Sequence, residues 1–222
     1  MTDLAGTRPN ATRLIHLERD DDVSRALAKA DPRLARVIDD VGCLDFGPVG
    51  EPFEVLVRSV VSQQLSGKSA ESIFARLADN VGITPEALAS ADDAELRRIG
   101  LSHRKAEYIQ GIARQVASGE LDLDELALLD DETVSDRLVK VRGIGPWSAH
   151  MFLMFALRRP DVLANDDYGI RQAVGTVLGL GRPATTEELA EAAEPWRPHR
   201  SAALFYLWAA SDGGLMACEP RE

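Results

Sequence analysis

Cysteine is scarce in this sequence, with Cys43 and Cys218 the only two among 222 residues. They lie far apart and offer no Cys-x-x-Cys spacing, which excludes a scaffold of several disulfides and a four-cysteine metal site. We expect both as small residues of the core or the surface. The four histidines also lack the spacing of metal ligands, so no metal site is predicted.

Long apolar runs are absent as well. No uninterrupted stretch approaches the roughly 20 residues needed to cross a bilayer. The first residues, which include Asp3, have no apolar segment of the kind found in secretory signals, and we therefore expect a cytoplasmic protein. With 45% hydrophobic and 27% charged residues, the chain can form one sizeable domain or two small lobes around a buried core.

Positive charge is in deficit. The 25 lysines and arginines stand against 36 aspartates and glutamates, which gives a formal net charge of −11. This balance argues against a protein that binds nucleic acid through a broad basic face. The acidic residues are concentrated at 20–22, 120–136 and 187–194, however, and the basic residues flank the motifs described below. The sequence is therefore compatible with a polarised surface.

Apolar spacing of three and four residues predicts an almost wholly helical protein. Asp31-Pro32 interrupts the first helical stretch, and Thr84 and Asp92 have the polar character of helix caps. The one notable β-branched patch, 55–57, suits a buried helix equally well. Helices are expected over residues 22–41, 53–61, 69–77, 102–117, 130–139, 151–157, 168–178, 185–193 and 198–210.

The stretch from Leu138 to Ala149 predicts a helix, a tight glycine turn and a second helix. Gly143 and Gly145 permit backbone angles that other residues resist, so the turn can expose unpaired amide N–H groups. Pro146 begins a helix at a position where its missing donor does not matter. Amides exposed at a helix N-terminus can bind a phosphate oxygen without any lysine. An ordinary helical hairpin without a ligand is the alternative interpretation.

A loop with paired aspartates, 165–169, follows downstream. Asp167 stands 24 residues after Gly143, which leaves room for a helix of about eleven residues, roughly 16 Å long, and a loop that returns toward the turn. The turn and a carboxylate would then face the same ligand. Alternatively, Asp167 is the N-cap of the helix that begins at Tyr168, and the two roles are compatible.

Several motifs occur together in one order. They are the glycine turn, Pro146-Trp147-Ser148-Ala149, the apolar stretch 151–157, Arg159-Pro160-Asp161-Val162 and the paired-aspartate loop. This combination resembles the helix-hairpin-helix DNA glycosylases, in particular the 3-methyladenine DNA glycosylase II (alkylpurine) branch, over roughly residues 52–215. The resemblance implies an all-α, two-lobed fold with the active-site cleft between the lobes. A single domain, 1–222, would contain a hairpin-bearing lobe at about 66–165 and a second lobe from about 1–65 and 166–222.

The resemblance also implies that Asp167 is the catalytic residue, with Asp166 as the alternative. Removal of a base breaks the bond between the sugar C1′ and the base nitrogen. The sugar then becomes positively charged, like an oxocarbenium ion. A carboxylate beneath the sugar stabilises that charge and can orient or deprotonate the attacking water.

Trp147 stands where relatives that also cleave the strand have a lysine. An indole cannot form a Schiff base, so the resemblance implies a monofunctional hydrolase without lyase activity. Trp147 and Trp208 would form aromatic walls against a cationic alkylated base, with Met151 and Phe155 as further pocket residues. Core packing is an equally good interpretation of Met151 and Phe155, and a tyrosine usual near Met151 in the family is missing.

Residues that would contact DNA follow from the same resemblance. Gln64 matches the position of a wedge that fills the space of an extruded base, with Leu65 beside it, and a plain polar turn is the alternative. The clamp on the strand would consist of Arg142, Gly143, Ile144, Gly145, Trp147 and Ser148. No organic cofactor is needed. Hairpins of this family can hold a monovalent cation on backbone carbonyls, whereas the four-cysteine iron–sulfur cluster of some members is excluded.

The resulting prediction is a monomeric, monofunctional DNA glycosylase that hydrolyses the N-glycosidic bond of alkylated purines, such as 3-methyladenine and 7-methylguanine, in damaged duplex DNA. This is the first step of base excision repair. One alternative is a helix-hairpin-helix module that binds damaged DNA without chemistry. Another is a glycosylase for a different lesion, such as hypoxanthine or ethenoadenine. Two departures from the family pattern are compatible with another lesion. They are Met151 and the replacement of the family's usual proline by Ala164 or Asn165.

Overall fold

The computed structural model describes residues 15–46 and 50–211, and this part of the chain is almost entirely helical, as the sequence predicts. No described helix is both long enough and apolar enough to cross a membrane. The helices are α1 (Asp22–Ala30), α2 (Pro32–Val41), α3 (Pro52–Ser62), α4 (Gly67–Asn80), α5 (Pro85–Ser90), α6 (Asp93–Ile99), α7 (His103–Ala117), α8 (Leu123–Ala127), α9 (Asp131–Leu138), α10 (Pro146–Met151), α11 (Tyr168–Val177), α12 (Thr186–Ala193) and α13 (Arg200–Ser211), with a π-helical segment at Phe152–Ala156 and a 3-10 turn at Glu194–Trp196.

Local capping signals set many of the helix boundaries. Asp31 ends α1 and caps α2, whose first residue is Pro32. The Ser66 hydroxyl caps α4, and Thr185 forms a reciprocal capping box with Glu188 at the start of α12. Each cap satisfies amides that have no partner inside the helix, which is why these boundaries are readable from sequence.

A two-stranded antiparallel pair is the exception to the helical fold. β1 (Ile15–Leu17) pairs with β2 (Leu44–Phe46), with Ile15 opposite Phe46. Strands of three residues are too short to reveal an alternating pattern, so the sequence does not predict them. Cys43 precedes β2 and is disulfide-bonded. The expectation that Cys43 is merely a small residue of the core or the surface is therefore wrong, and Cys218 lies outside the described residues.

Helix α13 forms the centre of the C-terminal part of the fold. Residues 201–207 and Ala209 are buried, and the helix packs against α11 and α2. A helix that is apolar on most of its surface is expected in such an interior position. Its burial fixes the place of Trp208 near its C-terminal end.

Helix α3 packs against α4, α7, α10 and the π-helical segment. Four of these neighbours lie within the predicted hairpin-bearing lobe, 66–165. Helix α3, which precedes the lobe boundary expected near residue 65, thus packs against elements of that lobe. The division into lobes stays a prediction.

Two carboxylates with several donors connect distant parts of the fold. Asp31, 3% exposed, accepts hydrogen bonds from Trp196 Nε1 at 3.0 Å and from Arg33 Nε at 3.0 Å. Asp161 accepts from Arg200 Nε at 2.7 Å and from Arg197 Nη1 at 2.9 Å. Each aspartate thus joins a loop to a helix by charge-assisted hydrogen bonds.

We expect the free energy of unfolding to fall in acid because of Asp31 and Asp161. Burial alone would raise the pKa of both carboxyls, but the hydrogen bonds from Arg33 to Asp31 and from Arg200 to Asp161 lower each pKa overall. Such a carboxylate stabilises the fold above its unfolded pKa of about 3.9, and this contribution is lost as the pH falls through the lower folded-state pKa.

Denaturant titrations from pH 7 to pH 3 check this expectation. The free energy of unfolding should begin to fall below about pH 5. In Asp161→Asn it should be lower at pH 7 and fall less steeply in acid. Identical slopes for the two proteins would show that Asp161 does not contribute to the acid dependence.

Candidate active site

The hairpin, residues 139–145, joins α9 to α10. Gly143 has φ +100°, a conformation that residues with side chains rarely adopt. Gly145 has φ −102° and ψ 178° as the N-cap of α10, so the expectation that its backbone requires glycine is wrong. The first helical bond joins Ala149 N to Gly145 O at 3.0 Å. The amides that precede it in α10 have no partner inside the helix.

Gly143 also lies too close to α7 to carry a side chain. A Cβ atom there would stand 2.4 Å from Tyr108 Cγ. The guanidinium carbons of Arg104 and Arg142 lie 5.9 and 5.6 Å from the centroid of the Tyr108 ring. Arg142 pairs with Glu107 at 3.1 Å, yet 76% of its side chain is exposed. Arg142 is therefore accessible to a ligand beside the hairpin.

Two residues of the predicted DNA clamp are buried. Ile144 is 4% exposed, and its N–H donates to Val141 O at 3.0 Å. The side chain anchors the hairpin in the core, and a contact of Ile144 with DNA stays a prediction. Ser148 is 1% exposed, and its hydroxyl accepts a hydrogen bond from Gln63 Nε2 at 3.1 Å.

The chain after α10 returns to the hairpin as the sequence predicts. α10 and the π-helical segment together span residues 146–156, which equals the expected length. Ser201 Oγ donates to Arg159 O at 2.7 Å and accepts from Val162 N at 3.0 Å. With the Asp161 contacts, these bonds fasten the Arg-Pro-Asp-Val segment to the start of α13. The acidic loop, residues 165–169, therefore follows a segment whose position is fixed by these bonds.

Asp167 accepts three hydrogen bonds, from three different elements. Trp147 Nε1 of α10 donates to Oδ2 at 2.7 Å, and Trp208 Nε1 of α13 donates to Oδ1 at 3.2 Å. Ile170 N donates to Oδ1 at 2.8 Å, which makes Asp167 the N-cap of α11. The carboxylate is only half-buried. Capping and a catalytic position are therefore compatible, because the cap and the indoles hold the group rigidly without enclosing it.

Asp166, the alternative carboxylate, is exposed. Its negative charge acts on His150 of α10. Burial lowers the pKa of His150, and the charge of Asp166 partly opposes this effect. The His150 Nδ1 atom is buried and has no hydrogen-bond partner within the described part of the chain. The geometry favours Asp167 over Asp166, because indole donors from two helices converge on Asp167.

The predicted aromatic walls thus act as hydrogen-bond donors to the carboxylate. Trp208 also stacks on Phe155, with centroids 5.9 Å apart and an angle of 25°. Phe155 also packs against Phe205, with ring centroids 5.5 Å apart. These contacts help to hold the Trp208 ring in place. Met151 is 6% exposed and belongs to the core, in agreement with the packing interpretation, and its place in a substrate pocket stays a prediction.

The π-helical segment explains why Phe155 faces Trp208. One additional residue in a helical turn rotates the following side chains relative to an α-helix, and such segments are frequent at functional sites. The segment begins directly after Met151 and contains Phe155. The sequence does not reveal it, because its apolar residues fit an α-helix equally well.

Gly169, which the sequence did not single out, lies beside the carboxylate. A Cβ atom there would stand 3.2 Å from Asp167 Oδ1 and 3.8 Å from Trp208 Nε1. A side chain would crowd the Asp167–Trp208 hydrogen bond. Tyr168, at the first position of α11, is 65% exposed and adds an aromatic surface next to the site.

The wedge turn, residues 63–66, joins α3 to α4. Gln64 is exposed and has φ +57°, and Leu65 is 40% exposed. The structure thus presents both predicted wedge residues to solvent. Sequence analysis missed the preceding residue, Gln63, which donates to Gly143 O at 2.9 Å and so connects this turn to the hairpin.

Two carbonyls of the hairpin already accept hydrogen bonds within the protein. The oxygens of Val141 and Gly143 accept hydrogen bonds from Ile144 N and from Gln63 Nε2. Each carbonyl retains one lone pair, so a monovalent cation at the hairpin stays a prediction, and no step of the chemistry requires it. Among the residues described, no three His, Cys, Asp or Glu side chains are grouped to hold a metal ion.

Trp208→Phe is expected to lower base excision at least about tenfold. It removes one donor to a charged acceptor, which corresponds to roughly 1.5–3 kcal/mol, while the ring can still stack on Phe155. The matched control is Trp196→Phe, which removes another indole–carboxylate bond, to Asp31, away from Asp167. Single-turnover rates and melting temperatures should separate the two. Equal rate losses in both variants would contradict a specific role of Trp208.

This chain is similar to known proteins in sequence. Residues 57–198 match the family described as HhH-GPD superfamily base excision DNA repair protein. A DNA-3-methyladenine glycosylase of Bacillus subtilis is 33% identical over 195 residues, which cover 82% of this chain and 64% of that protein. The chain thus spans about two thirds of the length of that relative.

Solved structures are similar in fold as well as in sequence. A DNA-3-methyladenine glycosidase from Bacillus halodurans is 36% identical, with a TM-score of 0.74 over 88% of this chain and 92% of that one. The 3-methyladenine DNA glycosylase of Schizosaccharomyces pombe, in complex with abasic DNA, is 33% identical, with a TM-score of 0.81 over 86% and 97%. With its helical hairpin, returning loop and indole-bound aspartate, the chain belongs to the HhH-GPD superfamily of base excision DNA repair proteins.

Proposed function

We propose that this chain is a monofunctional DNA glycosylase that hydrolyses the N-glycosidic bond of alkylated purines in damaged duplex DNA, acting as a monomer. The observation that carries the proposal is the Asp167 carboxylate, held half-exposed by Trp147 and Trp208 close to the hairpin. The relatives named DNA-3-methyladenine glycosylases support the substrate class.

The chemistry begins with departure of the base. A purine alkylated on a ring nitrogen carries a positive charge, so the electron pair of the C1′–N bond leaves with it and the base departs neutral. The positive charge passes to the sugar, where the Asp167 carboxylate stabilises it. Water attacks C1′ and gives its proton to Asp167 as general base. The products are a free base and an abasic site.

The two indole donors suit this role. They fix both carboxylate oxygens, so little reorganisation is required when the sugar becomes positive. The same indoles and the exposed ring of Tyr168 offer aromatic surface for a cationic base.

Strand binding must be reconciled with a net charge of −11. We assign the phosphate contact mainly to the backbone amides at the start of α10, with Arg142 beside them, since an amide array binds an anion without net charge. We expect weak, salt-sensitive binding of undamaged duplex, and an affinity that does not fall with added salt would contradict this expectation.

The absence of lyase activity is part of the proposal. Trp147 occupies the hairpin helix where a Schiff-base lysine would stand, and an indole cannot form an imine. Borohydride added during the reaction should trap no covalent complex, and alkali should be required to cleave the product strand. Trapping by the wild-type protein would refute this part alone.

Release of free bases tests the proposal. The purified protein is incubated with duplexes that each carry one lesion, namely 3-methyladenine, 7-methylguanine, hypoxanthine or ethenoadenine, and the released bases are identified by chromatography. We expect the two methylated purines to be released. Release of hypoxanthine or ethenoadenine alone would change the substrate class. Tight binding to lesion DNA without release of any base would indicate a non-catalytic module.

A further inference from the structure

Gln63 connects three segments that are far apart in sequence. Its side-chain amide donates to Gly143 O at 2.9 Å and to Ser148 Oγ at 3.1 Å. Its backbone oxygen accepts from Lys105 Nζ of α7 at 2.7 Å. One residue of the wedge turn is therefore bonded to the hairpin, to α10 and to α7.

Lys105 strengthens this connection at the end of α3. Besides Gln63 O, its Nζ donates to Val61 O at 2.7 Å. A cation at the C-terminal carbonyls of a helix is favourable and satisfies groups that have no partner inside the helix. Lys105 is half-buried, so its ammonium group is committed to α3 and the wedge turn.

Gln64 follows directly and has an unfavourable backbone conformation. Its φ of +57° lies in the left-handed region, which is uncommon for residues other than glycine, asparagine and aspartate. Such a conformation persists where the surroundings fix it, and it is found at functional sites. The side-chain and backbone bonds of Gln63 supply that constraint from the preceding residue.

Resting on the function proposed above, we propose that Gln63 is a positioning residue that holds the wedge, Gln64, at a fixed place relative to the strand-binding hairpin. A wedge can fill the space of an extruded base only if it is held in register with the gripped strand. Gln63 carries out this coupling through Gly143 O and Ser148 Oγ, and does not itself touch the substrate.

The decisive experiment is a double-mutant cycle of Gln63→Met and Gln64→Ala. Methionine has a similar length but no donor, and alanine removes the wedge while keeping a residue other than glycine at the left-handed position. Single-turnover excision of 7-methylguanine is measured in a fully paired duplex and in a mispaired duplex, where extrusion costs least. Melting temperatures are recorded for all variants.

With the paired lesion, Gln63→Met should reduce the rate about tenfold in the wild-type background and less than about twofold in the Gln64→Ala background. With the mispaired lesion the loss should be less than about threefold. Lys105→Met, which leaves the Gln63 amide intact, should also reduce the rate more with the paired than with the mispaired lesion, but by a smaller factor than Gln63→Met. Equal losses on both duplexes, or additive losses in the cycle, would overturn the inference. If the wild-type protein released no base, the proposed function itself would fail.

Discussion

Asp167→Asn should reduce single-turnover excision of a methylated purine by about 10³-fold while the protein stays folded. Loss of preorganised electrostatic stabilisation at a developing charge typically has an effect of 10²–10³ on the rate, and loss of the base for water adds to it. Asparagine still offers one oxygen, so Ile170 N and the N-terminus of α11 can remain capped. One of the two indoles, however, would face an amide NH₂ group and lose its acceptor.

Two measurements separate chemistry from folding in this variant. Affinity for abasic duplex should stay within about fivefold of the wild-type value, because the hairpin and the wedge turn are untouched. Asp166→Asn is the matched control, since it removes the same charge from the adjacent, exposed position, and it should retain most of the activity. A fully folded Asp167→Asn protein with wild-type activity would end the catalytic assignment.

Gly143→Ala should lower the free energy of unfolding by about 2–5 kcal/mol. The left-handed backbone costs a residue with a side chain roughly 1–2 kcal/mol, and the new Cβ would meet Tyr108 Cγ at 2.4 Å, which forces repacking worth about 1–3 kcal/mol. For a chain of this size, the melting temperature should fall by about 10 °C. DNA affinity should fall with it, because the hairpin must shift away from α7.

Gly145→Ala is the matched control within the same hairpin. The backbone of Gly145 is extended, and nothing lies within 4 Å of its added Cβ, so the melting temperature should change little. Equal destabilisation by the two glycine substitutions would contradict the assigned hairpin geometry.

The elements that the sequence predicted well are those with local signals. The boundaries of α2 and α12 follow from Pro32 and from the Thr185 capping box, and the hairpin follows from Gly143 and Pro146. Each signal acts within a few residues of the structure that it specifies. The short strands and the π-helical segment lack such signals and were not predicted, and the short helix α8 was missed although Asp122 caps it.

Site details that depend on distant contacts could not be predicted. The Trp208–Asp167 bond spans 41 residues and the Gln63–Gly143 bond spans 80, and both exist only because helices pack in three dimensions. The same packing buries Ile144 and Met151, which the resemblance had assigned to DNA and substrate. The prediction for Gly145 was wrong because the presence of a glycine does not determine its φ. Gly143, by contrast, is required both by its positive φ and by its close approach to Tyr108.

Affinity for a positively charged sugar analogue tests the central claim most directly. Duplexes that carry a cationic pyrrolidine in place of the deoxyribose are compared with duplexes that carry a neutral tetrahydrofuran at the same position. A carboxylate placed to stabilise the transition state should make the wild-type protein bind the cationic duplex at least about 100-fold more tightly, and Asp167→Asn should abolish the difference. Equal affinity of the wild-type protein for both duplexes would contradict the account.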